Sequence, residues 1–305
     1  MIYTWTLNPA IDYRLEVDEL ELGTLNRADF NKFTAGGKGI NVSIVLKQMG
    51  VSNVAIGFIG GFTGKYLSDF LKSKYELQTD FVTIQDNTRI NVKLASDVLT
   101  EINARSPMVT DDELAKLFKK VNRVTINDLV VLAGSSIKSQ KGIYEKLAKL
   151  FSENSIPFVA DLDQNALKEV ISYGPFVIKQ NLYELERYFG VSMNEEHDIV
   201  AYGKKLLEKG TKHVLISLGL KGSYYIGEDI VYRAEPLSGK VRNTVGTGDS
   251  MLAGFIGTLS RTKDIKKAYK WAVAAGSATA FSYGLAKLDE ISVLLDQVKI
   301  RTIYK

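Results

Sequence analysis

Val245-Gly246-Thr247-Gly248-Asp249-Ser250 leads into a run of small and apolar residues, 251–257, near the C-terminal end of the sequence. Two glycines around one small residue predict a tight turn that starts a helix. The backbone N–H groups in the first turn of a helix have no partner within the helix. Together with the helix dipole they form an anion site, so this segment predicts the binding of a negatively charged group.

Asp249 stands at the mouth of this predicted helix. An acid is unexpected at a site that only holds an anion. It suits a site at which a hydroxyl loses its proton beside a transferring phosphoryl group. The alternative is an ordinary turn from strand to helix in which Asp249 caps the N-terminus. The segment alone leaves both interpretations open.

The composition is that of a folded globular protein with room for one large α/β core and a smaller part. The chain has 305 residues, of which 45% are hydrophobic and 24% are charged. The net charge of +4 comes without a long Lys/Arg block, which argues against nucleic acid and suits a small anionic substrate. The absence of cysteine excludes disulfides, thiolate catalysis and Cys-ligated zinc. The two histidines are too few for a His-rich metal site.

The sequence carries no sign of a targeting or membrane segment. Residues 1–7 lack a basic start and a small-residue cleavage site, so they do not read as a signal peptide. No apolar run reaches the length needed to span a membrane. We therefore expect a cytoplasmic protein with no membrane partner.

Most of the chain alternates between predicted helices and continuous apolar strands, which is typical of a parallel sheet covered on both faces. Residues 12–34 and 88–103 instead alternate polar and apolar side chains. We interpret these two insertions as a small antiparallel β lid with one wet face. The predicted α/β core then comprises residues 1–11, 35–87 and 104–305.

A second glycine-rich segment, Gly36-Gly37-Lys38-Gly39-Ile40-Asn41, opens another predicted helix. Glycines let a ligand approach the backbone, and Lys38 can donate to an anion. Asn41, one turn into the helix, can bond a sugar hydroxyl. The alternative is a glycine-rich connection between lid and helix.

The segment Thr88-Arg89-Ile90-Asn91-Val92-Lys93 alternates, so Arg89, Asn91 and Lys93 share one face of a strand. Two cations on one lid face favour phosphate recognition, whereas the alternative is a solvated strand face.

Asn181 and Glu184 are three residues apart at a predicted helix start. Their oxygens suit a hydrated magnesium ion, and the alternative is a capping box; both can hold together. The glycines of Ser217-Leu218-Gly219-Leu220-Lys221-Gly222 predict either a turn that meets a ligand or a plain hairpin turn.

These motifs, with Thr6-Leu7-Asn8-Pro9-Ala10-Ile11-Asp12 before them, occur in one order across nearly the whole chain. The combination resembles the ribokinase-like (pfkB) carbohydrate kinases, and within them the phosphosugar kinases. The resemblance implies a three-layer α/β/α sandwich with a mostly parallel sheet and a small β lid. It also implies ATP-dependent phosphorylation of a phosphosugar, with fructose 1-phosphate converted to fructose 1,6-bisphosphate. The alternatives are a tagatose-6-phosphate or fructose-6-phosphate kinase, or a non-catalytic sugar-phosphate sensor on the same fold.

The resemblance also implies roles for individual residues. Asp249 would be the catalytic base, with an anion hole from the N–H groups of Gly246, Thr247 and Gly248. The residues that would hold the phosphosugar are Asp12, Gly37, Lys38, Asn41 and Ser135, with Arg89 and Lys93 on its phosphate. The residues that would face ATP are Lys179, Asn181, Ser217, Gly219, Gly222 and Gly248. Glu184 and Asn181 would hold Mg²⁺ through water. We also expect a monovalent cation and a homodimer formed through the lid.

The chain departs from the family's usual residues at Ser106, Ser136, Gln180 and Thr247. None of these departures removes a charged catalytic group. Ser106 and Ser136 lie near the expected sugar side, so they bear on the identity of the substrate more than on the type of reaction.

Overall fold

The structure is a computed structural model that describes residues 1–304. Its strands, in chain order, are β1 Ile2–Thr6, β2 Ala10–Glu16, β3 Phe30–Gly36, β4 Asn53–Gly60, β5 Gln78–Thr79, β6 Val82–Ile84, β7 Arg89–Ala95, β8 Leu99–Ile102, β9 Leu129–Gly134, β10 Phe158–Leu162, β11 Val177–Asn181, β12 His213–Ser217, β13 Ser223–Gly227, β14 Val231–Ala234 and β15 Ile300–Tyr304. Its helices are α1 Lys38–Gln48, α2 Gly61–Tyr75, α3 Asp111–Phe118, α4 Ile143–Glu153, α5 Gln164–Val170, α6 Leu182–Phe189, α7 Glu196–Leu207, α8 Thr247–Thr262, α9 Ile265–Phe281 and α10 Leu288–Leu295.

Within residues 1–304 the larger sheet has eleven strands in the order β15-β14-β13-β12-β11-β10-β9-β1-β4-β5, with β6 beside β4. All pairings from β12 to β5 and β6 are parallel, and β13, β14 and β15 extend the sheet antiparallel. The carboxyl ends of the parallel strands therefore lie at one edge, where ligands bind in open α/β sheets. Helices α1, α6 and α8 begin at or near this edge.

Two apolar clusters cover the two faces of this sheet. One contains Trp5 and Phe151 with residues of helices α3 to α7, and the other contains Val42 and Phe255 with residues of α1, α8, α9 and α10. Trp5 is fully buried, and a buried aromatic side chain of this size contributes several kcal/mol, of order 3–5 kcal/mol on truncation to alanine. The layers are helix, sheet and helix, so the predicted α/β fold is confirmed.

The second sheet has the order β3-β2-β7-β8 and is formed from the two segments predicted as the lid. The β2–β3 and β7–β8 pairs are antiparallel, while β2 and β7, which join the two insertions, run parallel. One face carries Asp12 and Asn91. On the other, Tyr13 stacks on Phe33 with ring centroids 4.3 Å apart.

Three elements were not predicted from the sequence: α5, β5 and β15. Helix α5 completes the crossover that parallel strands β10 and β11 require, and Asp163 caps it by accepting from Ala166 N at 3.1 Å. Strand β15 adds to the open edge of the sheet next to β14. Helix α4 begins at Ile143, directly after Gly142, which adopts a left-handed φ of 69°. No helix within residues 1–304 is long and apolar enough to cross a membrane.

Candidate active site

Helix α8 begins with an open N-terminus. Its first residue is Thr247, and Gly246 before it adopts a left-handed conformation with φ 78°. No side chain in the described part of the chain caps this terminus, and the first helical bond runs from Ser250 N to Gly246 O at 2.9 Å. The preceding N–H groups therefore remain available to an anion. The interpretation of Asp249 as the N-cap is wrong, because it is the third residue of the helix.

Asp249 is buried, with 6% of its surface exposed. Its Oδ2 accepts a hydrogen bond from Asn41 Nδ2 at 2.8 Å. Burial and then the charge of Asp161 raise the pKa of Asp249 to about 6, against the opposing effect of Lys179, Lys38 and Asn41. A carboxylate with this pKa is ionised at neutral pH and is a stronger proton acceptor than an ordinary aspartate.

A buried aspartate that the sequence analysis missed organises the cations around Asp249. Asp161 lies on β10 and is fully buried. Its Oδ1 is 2.7 Å from Lys38 Nζ, and its Oδ2 is 3.7 Å from Lys179 Nζ. Burial opposes its charge, but Lys179 and Lys38 hold the pKa of Asp161 below its ordinary value. The available signal was a charged residue within an apolar strand, since buried charges are rare unless paired.

Lys38 lies between the predicted sugar and metal residues. Besides Asp161, its Nζ contacts Glu184 Oε1 at 3.2 Å. Burial opposes its charge, but the carboxylates of Asp161, Glu184 and Asp249 outweigh it and raise the pKa of Lys38 above its ordinary value. Lys38 is therefore a fixed cation, and it connects the start of α1 to the start of α6.

At the start of α6 the structure shows the predicted capping box. Asn181 Oδ1 accepts from Glu184 N, and Glu184 Oε2 accepts from Asn181 N, both at 2.8 Å. The second oxygen of Glu184 converges with Asp161 Oδ1 on the Lys38 ammonium. No group of three or more potential ligands for a metal ion exists among residues 1–304. This sparse set fits Mg²⁺, which is commonly bound through one or two carboxylates, waters and substrate phosphates.

A cavity of about 240 Å³ adjoins the open end of α8. The turn between β12 and β13 contributes Ser217, Gly219 and Gly222 to its wall, and α8 contributes Thr247 and Gly248. Helix α9 also lines the cavity, and its small side chains leave space there: Ala272, Gly276, Ser277 and Ala280. Most of the predicted nucleotide-facing residues thus line one cavity.

The side chain of Lys179, on β11, lies against the first turn of α8 at Gly248. A Cβ atom placed on Gly248 would collide with Lys179 Nζ and would lie 2.7 Å from its Cε. A side chain at position 248 would therefore require the Lys179 side chain to move. Lys179 is buried, and with the half-buried Lys38 it supplies a second cation to the surroundings of Asp249.

On the lid side, Asp12 is held in place by its neighbours. Its Oδ1 accepts from Asn91 Nδ2 at 2.8 Å. A Cβ on Gly36 would lie 2.7 Å from that oxygen, so the glycine lets the strand carry the carboxylate. Gly37, the N-cap of α1, has φ 114°, a backbone conformation that favours glycine.

Arg89 lies at the junction of lid and core, half-buried, with its guanidinium on backbone carbonyls. It donates to Asn8 O at 3.1 Å and to Ala104 O at 3.5 Å. Its Nε is buried and has no partner among the described residues. Burial lowers the pKa of Arg89, which remains a cation because arginine titrates so high.

Lys93, the second residue predicted on the phosphate, already has a charged partner in the lid. Its Nζ contacts Glu101 Oε2 across the β7–β8 pair at 2.7 Å. The lysine charge is therefore compensated within the lid. Ser135 at the end of β9 accepts from Asn8 Nδ2 at 3.3 Å, which puts it near the carbonyl that Arg89 contacts.

A family model described as pfkB family carbohydrate kinase matches residues 4–291. The chain belongs to the pfkB family of carbohydrate kinases. This pfkB kinase is 39% identical to 1-phosphofructokinase of Bacillus subtilis, over 98% of the chain and 99% of the relative. It is 34% identical to D-tagatose-1-phosphate kinase of Bacillus licheniformis, over 98% of the chain and 99% of that relative. The crystal structure of phosphofructokinase-2 from Escherichia coli with substrates and products matches with a TM-score of 0.91, at 26% identity over 97% and 98% of the two chains.

Proposed function

We propose that this pfkB kinase transfers the γ-phosphoryl group of ATP to the C6 hydroxyl of fructose 1-phosphate, giving fructose 1,6-bisphosphate and ADP. The observation that carries the proposal is the position of Asp249, a buried carboxylate in the first turn of an uncapped helix beside a cavity. A base next to an anion site is what phosphoryl transfer to an alcohol requires.

In the proposed reaction ATP occupies the cavity, with its γ-phosphate at the N-terminus of α8. The C6 oxygen forms a bond to the γ-phosphorus, the bond from that phosphorus to the bridging oxygen of ADP breaks, and the hydroxyl proton goes to Asp249. The N–H groups of Gly246, Thr247 and Gly248 stabilise the charge on the transferring group. The transition state is loose, so positioning and charge stabilisation contribute more than the strength of the base.

We assign the sugar to the space between α1 and the lid. Asp12, Gly37, Lys38 and Asn41 would bind the sugar, and Ser135 would lie beside it. Arg89 would bind the 1-phosphate, because its Nε is unpaired within residues 1–304 and its planar fork matches phosphate geometry. Lys93 has a smaller share in this proposal, since Glu101 already compensates its charge.

Mg²⁺ would bind with the nucleotide phosphates, with Glu184 and Asn181 contributing through water. When bound, the ion would neutralise negative charge on the nucleotide phosphates. In the protein itself, the carboxylates of Glu184 and Asp161 both contact the Lys38 ammonium near this position. Lys38 and Lys179 would supply positive charge to the same phosphates. The binding of a monovalent cation stays a prediction.

A second candidate substrate is D-tagatose 1-phosphate, because one full-length relative is named for that activity. Both named relatives act on a ketohexose 1-phosphate by their names, which supports the 1-phosphate rather than the 6-phosphate as the recognised group.

A coupled kinase assay tests the proposal. Purified protein is given ATP and Mg²⁺ with fructose 1-phosphate, tagatose 1-phosphate, fructose 6-phosphate, tagatose 6-phosphate or free fructose. We expect the highest kcat/KM with fructose 1-phosphate. A preference for a 6-phosphate would overturn the substrate, and an absence of ATP turnover with every sugar would favour the sensor alternative.

We also propose that residues 12–34 and 88–103 act as a lid and that a second copy of the chain packs on it. The support is the exposed apolar surface there: Leu22 is 88% exposed, Leu25 76% and Phe33 41%. Light scattering of the wild type against Leu22→Lys/Leu25→Lys tests the dimer. The double variant should be monomeric, and an unchanged mass would exclude this surface. Location in the cytoplasm stays a prediction.

A further inference from the structure

Asn41 contacts the proposed base directly, although its sequence position was interpreted as a sugar contact. It lies on α1, one turn from the glycine-rich start, and its backbone N–H bonds Gly37 O at 3.0 Å. Its side chain is buried, and Nδ2 donates to Asp249 Oδ2 at 2.8 Å. A Cβ on Gly246 would lie 3.5 Å from the same nitrogen. The amide thus lies between the starts of α1 and α8.

We infer that Asn41 is a positioning residue that fixes the orientation of the Asp249 carboxylate through its hydrogen bond to Oδ2. The inference rests on the proposed role of Asp249 as the base. An aspartate side chain has two torsions, and a single donor to one oxygen leaves the other oxygen, Oδ1, to take the proton of the substrate hydroxyl. The bond also links α1, which begins at the glycine-rich segment 36–39, to α8, which begins at the proposed anion site.

The charged groups around Asp249 decide the sign of the effect. Asp161 on β10 disfavours its ionisation, while Lys179 on β11 and Lys38 on α1 favour it. The amide of Asn41 also favours the ionised form, because it donates to the carboxylate. Its removal therefore raises the pKa of Asp249. As the pH is lowered, activity that needs the ionised base then begins to fall at a higher pH than in the wild type.

The test is the pH dependence of kcat for wild type, Asn41→Ala and Asn41→Ser, with the phosphosugar that the wild type accepts best. We expect kcat at neutral pH to fall about tenfold or more, as for a misplaced catalytic group. The acidic limb should move upward by about half a pH unit or more. Nucleotide and sugar phosphates titrate identically in all three proteins, so a difference between the limbs belongs to the protein.

Ser43→Ala is the matched control. Ser43 is buried on the same helix and bonds Thr4, so its removal costs stability without touching Asp249. We expect the control to keep the acidic limb of the wild type. A higher sugar KM for both Asn41 variants, with kcat and the acidic limb unchanged, would make Asn41 a sugar contact only and overturn the inference.

A readout without turnover separates this inference from the proposed function. In protein labelled with ¹³C at aspartate carboxyl carbons, the resonance absent from Asp249→Asn identifies Asp249. Its titration midpoint should be higher in Asn41→Ala and in Asn41→Ser than in wild type. An unchanged midpoint contradicts the inference even if the kinase assay succeeds, and a raised midpoint supports it even if the preferred sugar differs.

Discussion

Helices α6 and α8 both begin at the carboxyl edge of the sheet, yet their N-termini are completed in different ways. The first turn of α6 is closed by its own side chains, since Asn181 and Glu184 satisfy each other's backbone N–H groups. The first turn of α8 follows a left-handed glycine and has no side-chain cap in residues 1–304. An uncapped turn loses about 1 kcal/mol relative to a capped one. The open end of α8 is therefore the one left for a ligand.

The comparison separates two uses of an acidic residue at the third helical position. Glu184 turns back to its own helix with one oxygen and reaches Lys38 with the other. Within residues 1–304, Asp249 makes no hydrogen bond to the N–H groups of its own first turn and instead accepts from Asn41 Nδ2 on α1. One carboxylate caps its own helix and contacts the Lys38 ammonium, while the other is buried and accepts a hydrogen bond from a different helix.

Asp249→Asn should have the largest effect. A neutral amide cannot accept the hydroxyl proton, so kcat should fall by about a hundredfold to ten-thousandfold while ATP and sugar still bind. Calorimetric titration measures that binding. A variant that keeps most of its kcat would remove Asp249 from the role of base.

The same variant should not be destabilised. The pKa of Asp249 in the folded protein is about 6, above its ordinary value of 3.8, so its contribution to stability is present at low pH and lost as pH rises through about 6. Asparagine removes this cost, and Tm at pH 7.5 should equal or exceed that of the wild type. A large drop in Tm would attribute the lost activity to unfolding.

Gly248→Ala tests the open end of α8 without changing a charge. The added methyl group would displace the Lys179 ammonium from its place beside Asp161. A misplacement of about 1 Å at an active site costs about a hundredfold in rate, so we expect a loss of that order in kcat/KM. Gly284→Ala is the control, because a Cβ there meets no atom within 4 Å. Equal activity of both variants would show that Lys179 has no part in the reaction.

Arg89→Ala should weaken phosphosugar binding specifically. A charge-assisted contact to phosphate contributes about 1.5–3 kcal/mol, so the sugar KM should rise about tenfold to a hundredfold while the KM for ATP changes little. Arg89→Lys should recover only part of the loss. The variant should also lose its preference for fructose 1-phosphate over free fructose.

Lys93→Ala is the matched control for Arg89→Ala, since this lysine lies on the same strand but is paired with Glu101. We expect a smaller rise in the sugar KM than for Arg89→Ala. Equal effects of the two variants, or equal effects on both sugars, would leave Arg89 with a structural role, joining the lid to the core through Asn8 O and Ala104 O.

Glu184→Gln should have the smallest effect and sharpens the comparison of the two helices. Glutamine can also complete a capping box, so the helix is kept while the charge is lost. The Mg²⁺ concentration for half-maximal activity should rise by up to about tenfold, and more than the sugar KM. An unchanged Mg²⁺ requirement would leave Glu184 with a capping role alone.

The alternation of strands and helices, the lid segments and the glycine-rich turns could all be predicted, because each depends on local sequence. The pairing of β2 with β7 and the edge strand β15 could not, since long-range pairing leaves no local pattern. In the site, the capping box of Asn181 followed from spacing alone. The contacts of Asp161 with Lys38 and of Asn41 with Asp249 join residues more than 120 positions apart, and the sequence gives no direct sign of them.

The most direct test is a crystal structure with ADP, aluminium fluoride, Mg²⁺ and fructose 1-phosphate. The fluoride complex stands for the transferring phosphoryl group. We predict that it lies within hydrogen-bonding distance of the N–H groups of Gly246, Thr247 and Gly248, with the C6 hydroxyl between it and Asp249. A complex located at the start of α6, or one with Asp249 out of reach of the sugar hydroxyl, would contradict the account.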